Sequence, residues 1–101
     1  MDKVVHFEIP VDDLDRAKKF YSSIFGWELQ DYQFAGGMTY TGVRTVPVDE
    51  KTYMPKEPGA INGGMMKRSK EVTAPIITIN VSSIDEYVKK IKAAGGKAVM
   101  P

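Results

Sequence analysis

The stretch Val5-His6-Phe7-Glu8-Ile9-Pro10-Val11-Asp12-Asp13-Leu14 decides the fold of this chain. Its apolar and polar side chains alternate, which is typical of a strand with one face toward a core and with His6 and Glu8 on the opposite face. Asp13 is suited to cap a following helix, and Gly26 is suited to the left-handed conformation that ends it. The stretch therefore predicts a β-α unit.

The same design recurs later in the chain, where Val81 stands seventy residues after Val11. The second copy reads Pro75-Ile76-Ile77-Thr78-Ile79-Asn80-Val81-Ser82-Ser83-Ile84, and Gly96 follows its helix as Gly26 follows the first. A repeated supersecondary unit indicates a duplicated module whose halves build a shared surface. Between the copies, alternation and turn residues predict further strands over 27–34, 38–46 and 60–67. The predicted order is β-α-β-β-β followed by β-α-β, with a last strand beginning at 97–100.

Composition excludes several classes of function. The chain has 101 residues, a net charge of +1 and no cysteine. The length fits one domain, and the charge gives no reason to expect nucleic acid or an acidic membrane as a partner. Without cysteine there is neither a disulfide framework nor a thiolate nucleophile. No apolar run is long enough to span a membrane, and the first residues lack the apolar stretch of a secretory signal. We therefore expect a cytoplasmic protein.

The first stretch, together with Ala17, Phe20-Tyr21 and Phe25-Gly26-Trp27, resembles the vicinal oxygen chelate superfamily, which includes glyoxalase, bleomycin-resistance and extradiol dioxygenase proteins. The combination is most similar to a glyoxalase-like subgroup. The resemblance implies an α/β (α+β) fold of paired βαβββ modules that form a cup-shaped sheet with helices on its outer face. Residues 1–101 would be a single domain, with the first module in 1–70 and the start of an incomplete second module in 71–101.

The resemblance also implies a metal site with ligands from the first, fourth, fifth and last strands. His6 matches the first-strand histidine, and histidine binds zinc, nickel or iron. Gly63 or Gly64 stands where the fourth-strand carboxylate is expected, Ile76 stands at the fifth-strand position, and the last ligand would lie beyond Pro101. A catalytic metal usually needs three protein ligands. We therefore expect no metal, or a weakly held divalent ion (zinc, nickel, iron or manganese) on His6, to which Glu8 could add a carboxylate.

The candidate site residues lie on the polar face of the predicted strands. We expect Glu8 to be the catalytic group, and we expect substrate contacts from five residues: His6, Glu8, Asn62, Thr78 and Asn80. Structural alternatives stay open for each of them. His6 and Glu8 could simply pair with each other, and the other polar side chains could satisfy one another at strand edges. Trp27, Tyr40, Met65 and Met66 suit a core, a pocket wall or a subunit interface, while Gly63-Gly64 suits either a bulge or close approach of a ligand.

Three functions are compatible with these residues. The leading hypothesis is a glyoxalase/bleomycin-resistance-like protein that holds a small organic molecule in the concave sheet and has a degenerate metal site. The first alternative is a divalent-metal-dependent lyase, isomerase or dioxygenase, related to lactoylglutathione lyase, with ligands beyond the given C-terminus. The second alternative is a non-enzymatic sequestration protein. The resemblance implies a homodimer in each case. From the charge and the composition we expect no nucleic acid and no membrane as a partner.

Overall fold

The computed structural model describes residues 1–98. Of the strand expected at 97–100, residues 99 and 100 lie outside this described part. The elements are β1 (Val4–Val11), α1 (Leu14–Phe25), β2 (Glu28–Gln33), β3 (Thr39–Arg44), β4 (Asn62–Lys67), β5 (Ile76–Ile79) and α2 (Ile84–Ala93), with a short 3₁₀ turn at Ala35–Gly37. None of the described helices has the length and apolar character needed to cross a bilayer.

The strands form one mixed sheet of five in the order β2-β3-β4-β1-β5. β1 pairs in parallel with β4 and antiparallel with β5. It therefore lies between the last strand of the first unit and the first strand of the second unit. The parallel pair requires a long crossover, which the chain between β1 and β4 supplies. This mixed sheet with its helices confirms the predicted α+β class.

Both helices begin as their sequences predict. The side chain of Asp13 accepts a hydrogen bond from the backbone N–H of Arg16 at 3.1 Å, and that of Ser83 accepts one from Glu86 at 3.3 Å. Each bond satisfies one of the backbone donors that a helix start leaves without a partner. Gly26 has a φ of 70° and ends α1 in the left-handed region.

The face of the sheet that carries Phe7 is covered by α1, and we call it the helix face. The Tyr21 and Trp27 rings stack there with centroids 4.9 Å apart, and Trp27 also contacts Phe7. A polar network lies beneath the helix, because buried Thr41 donates to Asp31 at 2.7 Å and Lys18 donates to the same carboxylate at 2.6 Å. The hydrogen bond to Asp31 raises the pKa of Lys18, and this bond together with that from Thr41 lowers the pKa of Asp31.

The second β-α unit differs from the first. We expected each helix to cover the apolar face of its strands, but Ile77 on β5 remains 61% exposed and Ile84 on α2 remains 74% exposed. Within residues 1–98, β5 is the single strand of this unit, so α2 has no sheet of its own to pack against. An apolar cleft of about 640 Å³ lies between β5, α2 and Met1.

Candidate functional site

The register of β1, β3 and β4 brings three polar side chains together on the face opposite α1. His6 and Glu8 alternate with Phe7 on β1, and therefore both point away from the helix face. On β4, Gly64 is the partner of Glu8, and on β3 Gly42 is the partner of Gly64. Tyr40, two residues before Gly42, shares this face. We call it the polar face.

His6, Glu8 and Tyr40 form a hydrogen-bonded cluster on the polar face. The Tyr40 hydroxyl donates to Glu8 Oε1 at 2.9 Å and lies 3.1 Å from Oε2. His6 Nε2 lies 2.7 Å from Glu8 Oε1 and 3.2 Å from the Tyr40 oxygen, so a hydrogen on Nε2 is donated into the cluster. The side chains of His6 and Glu8 are 34% and 20% exposed. The Glu8 carboxylate is thus half-buried but fully supplied with donors, as a buried charge requires.

The cluster opposes ionisation of Tyr40. Burial of the hydroxyl is the main cause, and the hydrogen bond to Glu8 and the negative charge of that carboxylate act in the same direction. Together they raise the pKa of Tyr40 far above its ordinary value. Tyr40 therefore remains a hydrogen-bond donor at any physiological pH.

Gly63 and Gly64 allow aromatic rings to lie against both faces of β4. A β-carbon on Gly64 would overlap the Tyr40 hydroxyl and would lie 2.7 Å from Glu8 Oε2, while one on Gly63 would overlap the Phe7 backbone and ring. The pairing of β4 with β1 and β3 continues without interruption through both residues, so the pair does not form a bulge. The space above Gly64 is occupied by Tyr40.

A cavity of about 350 Å³ adjoins the cluster on the polar face. His6 is the member of the cluster that lines it; Glu8 and Tyr40 lie behind His6 and are not among the lining residues. The wall is completed by side chains from β2, β3, β4 and the connecting loop, namely Glu28, Gln30, Tyr32, Arg44, Tyr53 and Asn62. A cavity next to a cluster of partly buried polar groups is the usual geometry of a small-molecule site.

Comparison with known proteins agrees with this architecture. The family model described as bleomycin resistance protein-like N-terminal matches residues 3–45. "Putative glyoxylase CFP32" of Mycobacterium tuberculosis (strain CDC 1551 / Oshkosh) is 31% identical over 97 residues, which cover 93% of this chain and 34% of the relative. The chain belongs to the vicinal oxygen chelate superfamily. The protein of the same name in Mycobacterium bovis (strain ATCC BAA-935 / AF2122/97) has the same identity and coverage. The chain spans about a third of the length of these two curated relatives.

The residues predicted to contact a substrate are not equally placed in this vicinal oxygen chelate protein. Asn62 and Thr78 are the cross-strand partners of His6 on β4 and β5, so they flank it on either side. The Asn62 amide, however, is engaged with the end of β3: its oxygen accepts from the backbone N–H of Thr45 at 2.8 Å, and its nitrogen donates to the Val46 carbonyl at 3.2 Å. One amide hydrogen remains for a ligand.

The other outlying candidates take different positions. Thr78 is exposed on the edge strand, and Asn80 follows the last residue of β5, where its backbone N–H donates to the Lys3 carbonyl at 2.9 Å. The sequence favours Tyr40 as a core, pocket-wall or subunit-interface residue and does not indicate its polar role. Strand alternation does indicate that Tyr40, Gly42 and Arg44 share one face of β3. It does not reveal the contact between Tyr40 and Glu8.

The described residues do not supply a catalytic metal site of the kind common in this superfamily. His6 and Glu8 are two suitable donors, and their nearest ligating atoms are 2.7 Å apart. Among residues 1–98, however, no three histidine, cysteine, aspartate or glutamate side chains are grouped so that they could hold an ion. The neighbours of His6 across the sheet are Asn62 and Thr78, which are weak ligands for transition metals. The donor set of this part of the chain therefore does not fit a tightly held catalytic metal.

Proposed function

We propose that this chain is a glyoxalase/bleomycin-resistance-like unit that holds a small organic molecule on its polar face. The observation that supports the proposal is the position of His6, which belongs both to the hydrogen-bonded cluster and to the wall of the cavity. A molecule in the cavity would meet an imidazole whose orientation is set by Glu8. Membership of the superfamily supports the first part of this proposal, the glyoxalase/bleomycin-resistance-like character of the chain.

In the enzymatic form of the proposal, His6 and Glu8 act together on a proton of the bound molecule. His6 contacts the molecule, and Glu8 is the acceptor toward which the proton moves. General acid–base catalysis requires a base within hydrogen-bonding distance of the proton that it takes, and His6 is the cluster member that lines the cavity. His6 would take that proton on Nδ1, while the hydrogen on Nε2 moves to Glu8 Oε1, 2.7 Å away. In the non-enzymatic form, the same groups give hydrogen bonds that orient a sequestered ligand. The contacts available are identical in the two forms.

Metal is not required in either form. We propose that any zinc, nickel, iron or manganese ion is held weakly by His6 and Glu8, because two protein donors leave most of the coordination sphere to water or ligand. A divalent-metal lyase or dioxygenase would need donors that residues 1–98 do not group around His6. Elemental analysis of the purified chain tests this point: we expect far less than one ion per chain, and a stoichiometric ion would contradict it.

We further propose that the chain forms a homodimer through the apolar surface of β5 and α2. Isoleucine side chains on this surface are between 49% and 74% exposed: Ile77, Ile79, Ile84 and Ile91. Contiguous apolar surface of this kind usually marks an interaction site. A second copy would offer the same surface in return, as two-fold symmetric dimers do.

The test of the ligand proposal is a screen of small organic molecules by two-dimensional ¹H–¹⁵N NMR. We expect hits to shift backbone amides along the polar face, such as those of Gln30 and Gly42. His6→Ala should weaken those hits at least several-fold, because it removes the side chain that joins the cavity to the cluster. Lys19→Ala, on the exposed side of α1, is the matched control and should leave binding unchanged.

Two results would contradict the proposal. One is a screen in which no compound perturbs the polar face. The other is a set of hits that bind the polar face equally well after His6→Ala, with the spectrum of the variant still that of a folded protein.

A further inference from the structure

Arg44 is a charged side chain of the cavity wall whose role the cluster does not explain. It is the last residue of β3, lies on the polar face and lines the cavity. No carboxylate of residues 1–98 lies within 4.0 Å of its guanidinium, whereas Arg68 and Lys18 both have such partners. A guanidinium offers paired N–H groups that match the two oxygens of a carboxylate. Arg44 is therefore available to a ligand anion.

Glu28 is the residue that an anionic ligand would compete with. It is the cross-strand partner of Arg44 on β2 and lines the same cavity. Directly paired residues on antiparallel strands have close β-carbons, so the Glu28 charge weakens the field that Arg44 presents to the cavity. Neutralising Glu28 should therefore raise the affinity for an anionic ligand, whereas neutralising Arg44 should lower it.

Tyr32 gives the cavity an aromatic platform. Its ring extends over Gly42, where a β-carbon would lie 3.1 Å from the nearest ring carbon. Because Gly42 has no side chain, the ring can lie along the sheet rather than stand away from it. An aromatic side chain that lines the cavity suits stacking against a flat ligand.

Tyr53 is a second aromatic side chain of the cavity, and its backbone is unusual. It is the one non-glycine residue among those described with a positive φ, 59°, a conformation that bulky residues rarely adopt. The ring is 76% exposed, so packing does not account for it. Strained backbone that persists in a folded chain often accompanies a functional contact.

The loop around Tyr53 holds it in that conformation. The Tyr53 N–H donates to the Asp49 carbonyl at 2.7 Å, and the Asp49 N–H donates to the Met54 carbonyl at 2.8 Å. The Asp49 carboxylate also accepts from the backbone N–H groups of Lys51 and Thr52 at 2.9 and 3.1 Å. These hydrogen bonds close the turn and hold the backbone of Tyr53, whose side chain lines the cavity.

We propose that the cavity binds a planar organic acid, with Arg44 pairing with its carboxylate and with Tyr32 and Tyr53 enclosing its flat part. Tyr53 is the specificity-determining residue, since its ring selects flat molecules over bulky ones. The volume of about 350 Å³ is at the lower end of the range for small-molecule sites, which favours a ligand of one or two rings. This inference rests on the proposed function, because it names the class of molecule that the polar face holds.

The charge requirement is tested with 2-naphthoate and its neutral analogue 2-naphthamide, titrated into the full chain and followed by NMR. We expect 2-naphthoate to bind about tenfold more tightly, as a hydrogen-bonded charge pair allows. Arg44→Gln should remove this difference in affinity between the two compounds, and Glu28→Gln should increase it. Lys67→Gln is the control for net charge, because Lys67 ends β4 away from the cavity-lining residues and should leave the difference unchanged.

The role of Tyr53 is tested by three variants at one position. Tyr53→Phe keeps the ring and should bind 2-naphthoate as the wild type does. Tyr53→Leu removes the flat face and should weaken binding several-fold. Tyr53→Gly should weaken binding equally while leaving thermal stability the same or higher, because glycine adopts the positive φ without strain. Loss of binding without loss of stability separates a ligand contact from a structural role.

The outcomes distinguish this inference from the proposed function. If 2-naphthoate and 2-naphthamide bind the polar face equally, or if Tyr53→Leu binds as the wild type does, the planar-acid inference is wrong while the small-molecule site stands. If neither compound perturbs the polar face but other small molecules do, the same conclusion follows. If no small molecule perturbs that face, both fail.

Discussion

At the scale of single residues, Glu8 is the centre of the polar face. Its carboxylate receives hydrogen bonds from an imidazole on the same strand and from a phenol on another strand. Such a group cannot be replaced in isolation, because each donor would be left without its acceptor. Tyr40 is the more informative position to change, since phenylalanine keeps the ring and removes only the hydroxyl.

We expect Tyr40→Phe to lower the free energy of unfolding by about 1 to 2 kcal/mol at neutral pH, the size of a partly exposed hydrogen bond to a charge. The pKa of Tyr40 in the folded state is raised above its ordinary value of 10.0. Its contribution is therefore fully present below pH 10 and is lost as pH rises toward the folded-state value. The gap between wild type and variant should narrow above pH 10, as measured by urea unfolding across pH.

Tyr87→Phe is the control for this prediction. The Tyr87 hydroxyl donates to Asp2 at 2.7 Å, but both groups are exposed, so its loss should change stability little. A Tyr40→Phe variant as stable as the wild type at neutral pH would show that the cluster contributes nothing to folding. Ultraviolet titration gives a second readout, because the variant should lose a tyrosine whose pKa is raised.

The sequence predicted the shared face of His6 and Glu8, because strand alternation is enough for neighbours on one strand. It did not predict the third member of the cluster. Tyr40 is separated from Glu8 by thirty-two residues, and their contact depends on the register of two different strand pairs. Register is set by packing and by the loops between strands, neither of which can be read from one sequence.

At the scale of elements, β4 determines how closely aromatic side chains approach the backbone on the two faces of the sheet. Its adjacent glycines have no side chains, so the Phe7 ring can lie against one side of β4 and the Tyr40 ring against the other. The sequence indicated that Gly63-Gly64 was exceptional but left its cause open between a bulge and close approach of a ligand. The structure gives a different cause, which is close approach of side chains from the same chain.

We expect Gly64→Ala to destabilise the chain by about 1 to 3 kcal/mol, as overpacking usually does. The added methyl group overlaps the Tyr40 hydroxyl, so the ring must leave Glu8. Chemical denaturation measures the loss. In a Tyr40→Ala background the same change should be much less harmful, and this non-additivity identifies the clash as the cause.

Gly42→Ala serves as the matched control in the adjacent strand. Its β-carbon would approach the end of the exposed Tyr32 ring, which is free to move, so the effect should be smaller. Equal destabilisation at both glycines would mean that strand flexibility, rather than the ring above Gly64, sets the requirement for glycine.

At the scale of the whole molecule, the two β-α units are unequal. The first is completed by three strands, while the described part of the second contributes β5 and α2 and leaves their isoleucines exposed. The repeat predicted both units and their helix caps. It could not predict the loose packing of α2, because alternation reports which face of a strand is apolar and not what covers it.

We expect the chain to associate reversibly in sedimentation velocity experiments as its concentration rises. Ile77→Glu should shift that equilibrium toward monomer, since it places a charge in the centre of the exposed apolar surface. Glu71→Gln, an exposed change in the segment before β5, should have no effect. A wild type that sediments as a monomer at every concentration would contradict the homodimer proposal.

The position of β1 between β4 and β5 has a consequence for how the binding surface can change. The polar cluster and the wall of the cavity are built by β1 to β4 and the loops that connect them, while β5 adds only the flank beside His6. A new binding preference can therefore arise through changes confined to the first β-α unit and the three strands that follow it. The second unit, to which we assign self-association, can change its contacts with a partner without rebuilding the cavity.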